Sequence, residues 1–535
     1  MTTAAIASHR RSSNPPLTGL GGLLALAARR DRIRLTVWIA VLTLMMVYAP
    51  NAMKLAYPGQ AQRLARVNLL KTPAGTMLGG PMFGGDQTAL GVMVANELML
   101  TMMVATSILS ILTVIRHTRA EEESGAAELV MSSVVGRYAR TFAALALVAI
   151  VNAVLAAAMT LALAATGFSL LDCAAMCLGI TGVAMVFGAV AAVTAQLWRQ
   201  ARTATGAAMG VLATAAVVRG IGDVIKSSGS AVSWLSPIAW AQQMRAFVDV
   251  RWWPFALLVV LTAALMALSI VLESRRQYDT GNLRSAGERP GARPIRGVFG
   301  LHLTLQRGPL VGWSVGLLLS GLAFGSMTKS LQDAAKSNPL LARVLSEQGF
   351  DGIYTTMTQF LAAATTAFVV SAVVRLSRDE ESGLAEPVLA GSVSRWRWLL
   401  TAVVAAVLGS ALLMLCGALG NGVGAGITLG EASTVLRLTA AGIAYVPAMG
   451  VIAGVAALAV ALRRPWIGWL AVTYVVTALY LGALLRLPRW LIDASPVGRT
   501  TAPAHLPLTA LAVMSVVAVG LSGVAAVIYR NRDAL

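Results

Sequence analysis

The run TFAALALVAIVNAVLAAAMTLALAAT, residues 141–166, carries no charged side chain. Wound as an α-helix at 1.5 Å per residue it is about 39 Å long, more than the ~30 Å of hydrocarbon in a bilayer. Backbone groups in lipid must be satisfied within the spanning structure, which leaves helices or closed barrels. A barrel strand alternates apolar and polar residues, and this run does not alternate. Residues 141–166 therefore predict a membrane-spanning helix, and the fold class follows from how often such runs recur. By the same length criterion they recur at 35–53, 88–115, 171–197, 203–222 and 254–273, then at 310–328, 354–374, 398–419, 434–461, 466–485 and 507–529. The expectation is an all-α polytopic membrane protein with about twelve transmembrane helices. Composition agrees: the 535 residues are 57% hydrophobic and 12% charged, with a mean hydropathy of +0.73.

The formal net charge is +19. In a soluble chain this would suggest nucleic acid. Here the arginines cluster between apolar runs, as loops facing an anionic membrane surface require, so membrane lipids are the expected partner and nucleic acid is not. The linker at 273–297 is polar and carries Arg275, Arg276, Arg284, Arg289, Arg293 and Arg296. The positive-inside rule makes it cytoplasmic, and both termini with it. The loop at 54–87 should then lie outside, yet it holds Lys54, Arg63, Arg66 and Lys71. LTGLGGLLALAA at 17–28 is short and is followed at once by RRDRIR and a true span, so it is not read as a signal peptide. Cys173, Cys177 and Cys416 sit inside apolar runs without a CxxC pair and are read as small core residues.

The chain repeats itself. Gly125, Glu128 and Arg137 recur as Gly383, Glu386 and Arg395, each 258 positions on (383 − 125, 386 − 128, 395 − 137). RIRLTVW at 32–38 pairs with RGPLVGW at 307–313, LARV at 64–67 with 341–344, and LSP at 235–237 with ASP at 494–496. The matches keep one order across both halves, which predicts two tandem six-helix halves, 1–285 and 286–535. The apolar-then-basic segments 15–34 and 293–309 predict an interfacial amphipathic helix before the first span of each half.

The charged stretch before the opening run is RAEEESGAAELVMSSVVGR, 119–137; its counterpart is RDEESGLAEPVLAGSVSR, 378–395. Acids at a short helix's start and arginines after it suit the helix dipole. That accounts for Glu121, Glu122, Glu123 and Arg137, but not for the recurrence of the pattern while the flanking spans have drifted. A cytoplasmic acidic knob offers a basic soluble partner a grip. The docking residues are expected to be Arg119, Glu121, Glu122, Glu123, Gly125, Glu128 and Arg137, with Arg378, Glu380, Glu381, Gly383, Glu386 and Arg395.

These stretches, with LTGLGGLLALAARRDRIRLTVW, LSPIAWAQQMRAFVDVRWWP and the ends RRQYDTG and YRNRDAL, resemble the fused, two-halved ABC-2-class exporter permeases of actinobacteria, the tetronasin and polyketide-antibiotic type. The resemblance covers nearly the whole chain. It implies ABC-2-type, type V exporter-like halves in a bacterial plasma membrane. It implies a separate ABC ATPase subunit in two copies, with ATP and Mg²⁺ bound there and no cofactor in this chain. It also implies multidrug efflux of small amphiphilic substrates. The family often has an arginine after the motif glycine, where Ala126 and Leu384 stand.

No G-x-x-x-x-G-K-[ST] sequence occurs, no catalytic constellation is visible and no His, Cys or acid cluster has metal spacing. GNGVGAG, 420–426, and LGGPMFGGD, 78–86, are expected as outer turns. The GxxxG pairs Gly206–Gly210 and Gly450–Gly454 are expected to pack helices. Candidate pathway residues are Glu97, an acid inside a span, Leu98 and Met102 in the run LMLTMM, and Gln359 in the matched span. A proton-coupled secondary drug efflux transporter remains the rival; it calls for paired intramembrane relays, and Glu97 stands out without such a partner.

Overall fold

The computed structural model describes residues 15–71, 73–83, 86–125, 128, 135–226, 228–276, 297–329, 332, 339–482 and 487–532. These residues are helical with no strand among them, and eleven helices are long and apolar enough to cross a membrane. The twelfth expected span, 466–485, is the shorter apolar helix Trp466–Tyr480. The chain divides into two compact units, 1–292 and 293–535. Most of the linker, including Arg284, Arg289, Arg293 and Arg296, lies outside the described residues, as do Ala126, the stretch 129–134 and the start of 293–309.

The first unit comprises α1 (Leu20–Ala56), α2 (Gln60–Leu70), α3 (Pro73–Gly79), α4 (Leu90–His117), α5 (Arg119–Glu123), α6 (Ala139–Ala164), α7 (Leu170–Leu197), α8 (Ala201–Ile225), α9 (Pro237–Gln242) and α10 (Trp253–Arg275). Its centre is α7, apolar all round, which packs on α4, α6, α8 and α10. Cys173, Met176, Cys177, Ile180, Val183 and Phe187 are buried along it. The second unit comprises α11 (Gly297–Ser326), α12 (Pro339–Glu381), α13 (Glu386–Leu389), α14 (Arg395–Leu429), α15 (Ala432–Ile443), α16 (Val446–Ala461), α17 (Trp466–Val476), α18 (Arg489–Asp493) and α19 (Leu508–Arg530). The pairings repeat. In the first unit α1 packs on α6, and α4 and α10 pack on α7; in the second, α11 packs on α14, and α12 and α19 pack on α16.

Three expectations are corrected. Residues 20–34 are helical but continuous with the first span, so among the described residues no separate interfacial helix is set off from it; α11 likewise runs unbroken from Gly297. GNGVGAG is not an outer turn. It lies within α14, where its small residues let the backbone of α11 approach: a Cβ on Gly420 would stand 2.2 Å from the Leu318 carbonyl oxygen, and one on Gly325 would stand 2.0 Å from that of Asn421. A Cβ added at Gly206 or Gly210 would meet nothing within 4 Å, so these two pack no helix, whereas Gly454 meets Leu521 on α19.

The unexplained charges of 54–87 also acquire a reason. Arg66, on α2, is buried and pairs with Glu97 of α4, with a second bond to the Met93 carbonyl at 3.2 Å. Lys54 donates to the Thr166 carbonyl at 3.0 Å, and Arg63 to that of Tyr57 at 3.1 Å. These cations fasten the connection to the bundle.

Candidate functional site

The first charged loop begins where α4 ends. Thr118 leaves helical geometry, α5 adds barely more than a turn, and Gly125 closes it at φ +75°, a left-handed conformation that only glycine adopts freely. The three glutamates of this turn point in different directions. Glu122 faces inward with its side chain 1% exposed, held by Arg119, Arg140 and Arg276; the Arg276 bonds measure 2.7 and 2.8 Å. A carboxylate so buried costs several kcal/mol unless paired, and three guanidiniums supply the pairing. Arg119 is buried as well and also donates to the Arg199 carbonyl. Glu121 joins Arg30 of α1 at 3.1 Å and His117 at 3.2 Å. The other nitrogen of His117 meets Asp31 at 3.0 Å, and Arg116 meets the same carboxylate at 3.0 Å. Glu123 accepts from the Ala201 backbone at 2.9 Å and so caps α8. Glu128 is exposed. Arg137 donates to the carbonyls of Glu273 and Ser274, at 3.1 and 2.7 Å, in the last turn of α10.

The second loop is a looser copy. Gly383 has φ +72°, and Arg378, Glu381, Leu384 and Glu386 are exposed. Glu380 pairs with Arg532, just past α19, at 3.2 Å, and the Tyr529 hydroxyl donates to it. Arg395 donates to the Arg532 carbonyl. The sequence pattern thus located both loops but assigned every acid outward. Arg119 and Glu122 face inward because each finds its counter-charge there. Glu121, Glu123, Arg137, Glu380 and Arg395 are tied to neighbouring helices. Among the expected residues, Glu123, Glu128, Arg137, Arg378, Glu381 and Glu386 are exposed, Glu123 and Arg137 while also bonded to a neighbouring helix.

Of the pathway candidates, Glu97, Leu98 and Met102 belong to the first unit and Gln359 to the second. Glu97 is engaged by Arg66, while Leu98 and Met102 are buried in the first unit's core. In the second unit, Gln359 donates to the Thr500 carbonyl at 3.2 Å. Sequence reading passed over an intramembrane ion pair on α8: Arg219 and Asp223, four residues apart and both buried, meet at 3.2 Å. Asp223 also accepts from Ser233 at 2.7 Å, and Arg219 donates to the Met77 carbonyl on α3. The signal was present as an arginine and an aspartate one turn apart in an apolar span. The partners Arg276 and Arg532 were legible too, as arginines just beyond the last span of each half.

Known proteins are similar to this chain in sequence. Residues 295–530 match the family described as multidrug efflux system permease Rv1217c, C-terminal domain. The whole chain is similar to the multidrug efflux system permease protein Rv1217c of Mycobacterium tuberculosis strain H37Rv. The two are 35% identical over 554 aligned positions, covering 98% of this chain and 97% of that protein. With a transmembrane bundle in each unit and similarity along almost its full length, the chain belongs to the Rv1217c family of multidrug efflux system permeases.

Proposed function

We propose that this chain is the permease subunit of an ATP-driven exporter that moves amphiphilic drugs or lipid-like compounds out of the cell. It resides in the bacterial plasma membrane with both termini in the cytoplasm. A separate ATPase subunit, in two copies, binds ATP and Mg²⁺ and grips the loops at 119–137 and 378–395. The observation that carries the proposal is the duplicated outward tip: in each unit a left-handed glycine, Gly125 or Gly383, is followed three residues later by an exposed glutamate, Glu128 or Glu386. An exposed anionic tip steers a basic partner and favours one orientation. The inward acids cannot act this way, because contact with them would require opening their arginine pairs. ATP-driven closure of the ATPase copies would pull on each tip, and the unit bearing it would reorient.

The test is co-purification of the chain with its ATPase after Glu128→Lys, Glu381→Lys and Glu386→Lys. Association should weaken in each single variant and fail in the triple variant. Undiminished association of the triple variant overturns the docking proposal.

A further inference from the structure

Each loop is bound at both of its ends to the last span of its own unit. In the first unit the start of the loop is tied by Glu122 to Arg276, at 2.7 and 2.8 Å, immediately after α10. Its far end is tied by Arg137 to the carbonyls of Glu273 and Ser274. In the second unit Glu380 meets Arg532 at 3.2 Å, immediately after α19, and Arg395 donates to the carbonyl of that same Arg532. Arg137 and Ser274 are 137 residues apart, and so are Arg395 and Arg532. Two units that differ in most side chains thus keep one arrangement: an arch whose two feet stand on one helix end.

The last span of each unit packs chiefly along one neighbour, α10 on α7 and α19 on α16, and leaves most of its other surface open. Within the apolar window of α10, and equally of α19, 17% is buried, against 78% for α7. Charge-assisted bonds join the arch to the end of this span, which in turn lies along α7 or α16, so the arch is connected through it to the rest of its unit.

We infer that Glu122 and Glu380 are positioning residues that latch each loop to the last span of its unit, making α10 and α19 the levers that the loops drive. The direction of the force rests on the proposed ATPase partner; the latch itself does not. Glu122 and Glu380 consequently act inside the permease and touch no partner.

Hydrogen exchange of the purified full-length chain in detergent micelles tests the latch, with Arg276→Gln as the main variant because Glu122 keeps Arg119 and Arg140 and the fold is spared. Losing a charge-assisted bond should speed exchange roughly tenfold in two places at once, 119–125 and 272–276. Glu122→Gln combined with Arg276→Gln should be no faster than the faster single variant, and Glu128→Gln should change neither segment. Arg532→Gln and Glu380→Gln should give the same result for 378–383 and 528–532. Unchanged exchange at 272–276 in Arg276→Gln, or factors that multiply in the double variant, overturns the inference. Co-purification separates the two proposals. Arg276→Gln should retain the ATPase; loss of association with exchange unchanged would make this pair a docking contact and refute the latch. If the unsubstituted chain binds no ATPase, the proposed partner falls while the exchange result still decides the latch.

Discussion

Substituting Gly325 by alanine tests how the second unit is held together. The added Cβ would lie 2.0 Å from the Asn421 carbonyl oxygen and 2.7 Å from the Ala425 nitrogen, all backbone atoms of α14. A comfortable carbon–oxygen approach is about 3.3 Å, so α11 must retreat by about 1.3 Å, and no side-chain rotation can relieve it. The neighbouring close contacts at Gly321, Gly420 and Gly424 loosen together with it. Overpacking costs about 1–3 kcal/mol, and each lost Cα–H···O contact about 0.5–1 kcal/mol. Alanine's better helix propensity returns about 1 kcal/mol. The net is a loss of about 1–3 kcal/mol. Gly210→Ala on α8 is the matched control: nothing lies within 4 Å of its Cβ, so it should gain about 1 kcal/mol from propensity alone. Thermal unfolding of the purified protein, followed by the loss of helical circular dichroism, reads both. Gly325→Ala should melt lower and Gly210→Ala at or above the parent. A Gly325→Ala protein that melts no lower than the parent refutes the close-packed interface.

Other outcomes follow from the ion pairs and turns, all read by the same thermal melt. Asp223→Ala leaves the buried guanidinium of Arg219 without its carboxylate and should cost about 3–5 kcal/mol; a melting temperature within a degree or so of the parent's contradicts the pairing. Glu97→Gln strands Arg66 in a half-exposed pair and should cost about 1–3 kcal/mol, with Arg66→Met and Glu97→Gln non-additive when combined. Gly383→Ala, at φ +72° and with open space around it, should cost about 1–2 kcal/mol from backbone strain alone; a variant that melts with the parent contradicts the left-handed turn.

The spans were legible because each is written locally. A charge-free run long enough to cross hydrocarbon declares itself, and a glycine three residues before a glutamate can be matched by eye. What escaped was decided by distant partners. Nothing near Glu122 says that Arg276, 154 positions on, will face it. Nothing near Arg66 names Glu97, although the charges of 54–87 were out of place for an outer loop and so marked the region as special. GNGVGAG misled because glycine suits both turns and helix contacts, and only the presence of α11 alongside selects the second. Residues 20–34 misled in another way: basic side chains are compatible with a helix lying on the membrane and with one leaving it, and the absence of a proline between Leu20 and Pro50 favours a single rod.

Many of the arginines described above end on main-chain oxygen: Arg66 on Met93, Arg119 on Arg199, Arg137 on Glu273 and Ser274, Arg219 on Met77 and Arg395 on Arg532. A carbonyl is offered by every amino acid alike. Such an anchor constrains only the donor, so its receiving position can be rewritten generation after generation without slackening the joint. Two units fastened in this manner can differ in most side chains and each still keep the same internal helix pairings.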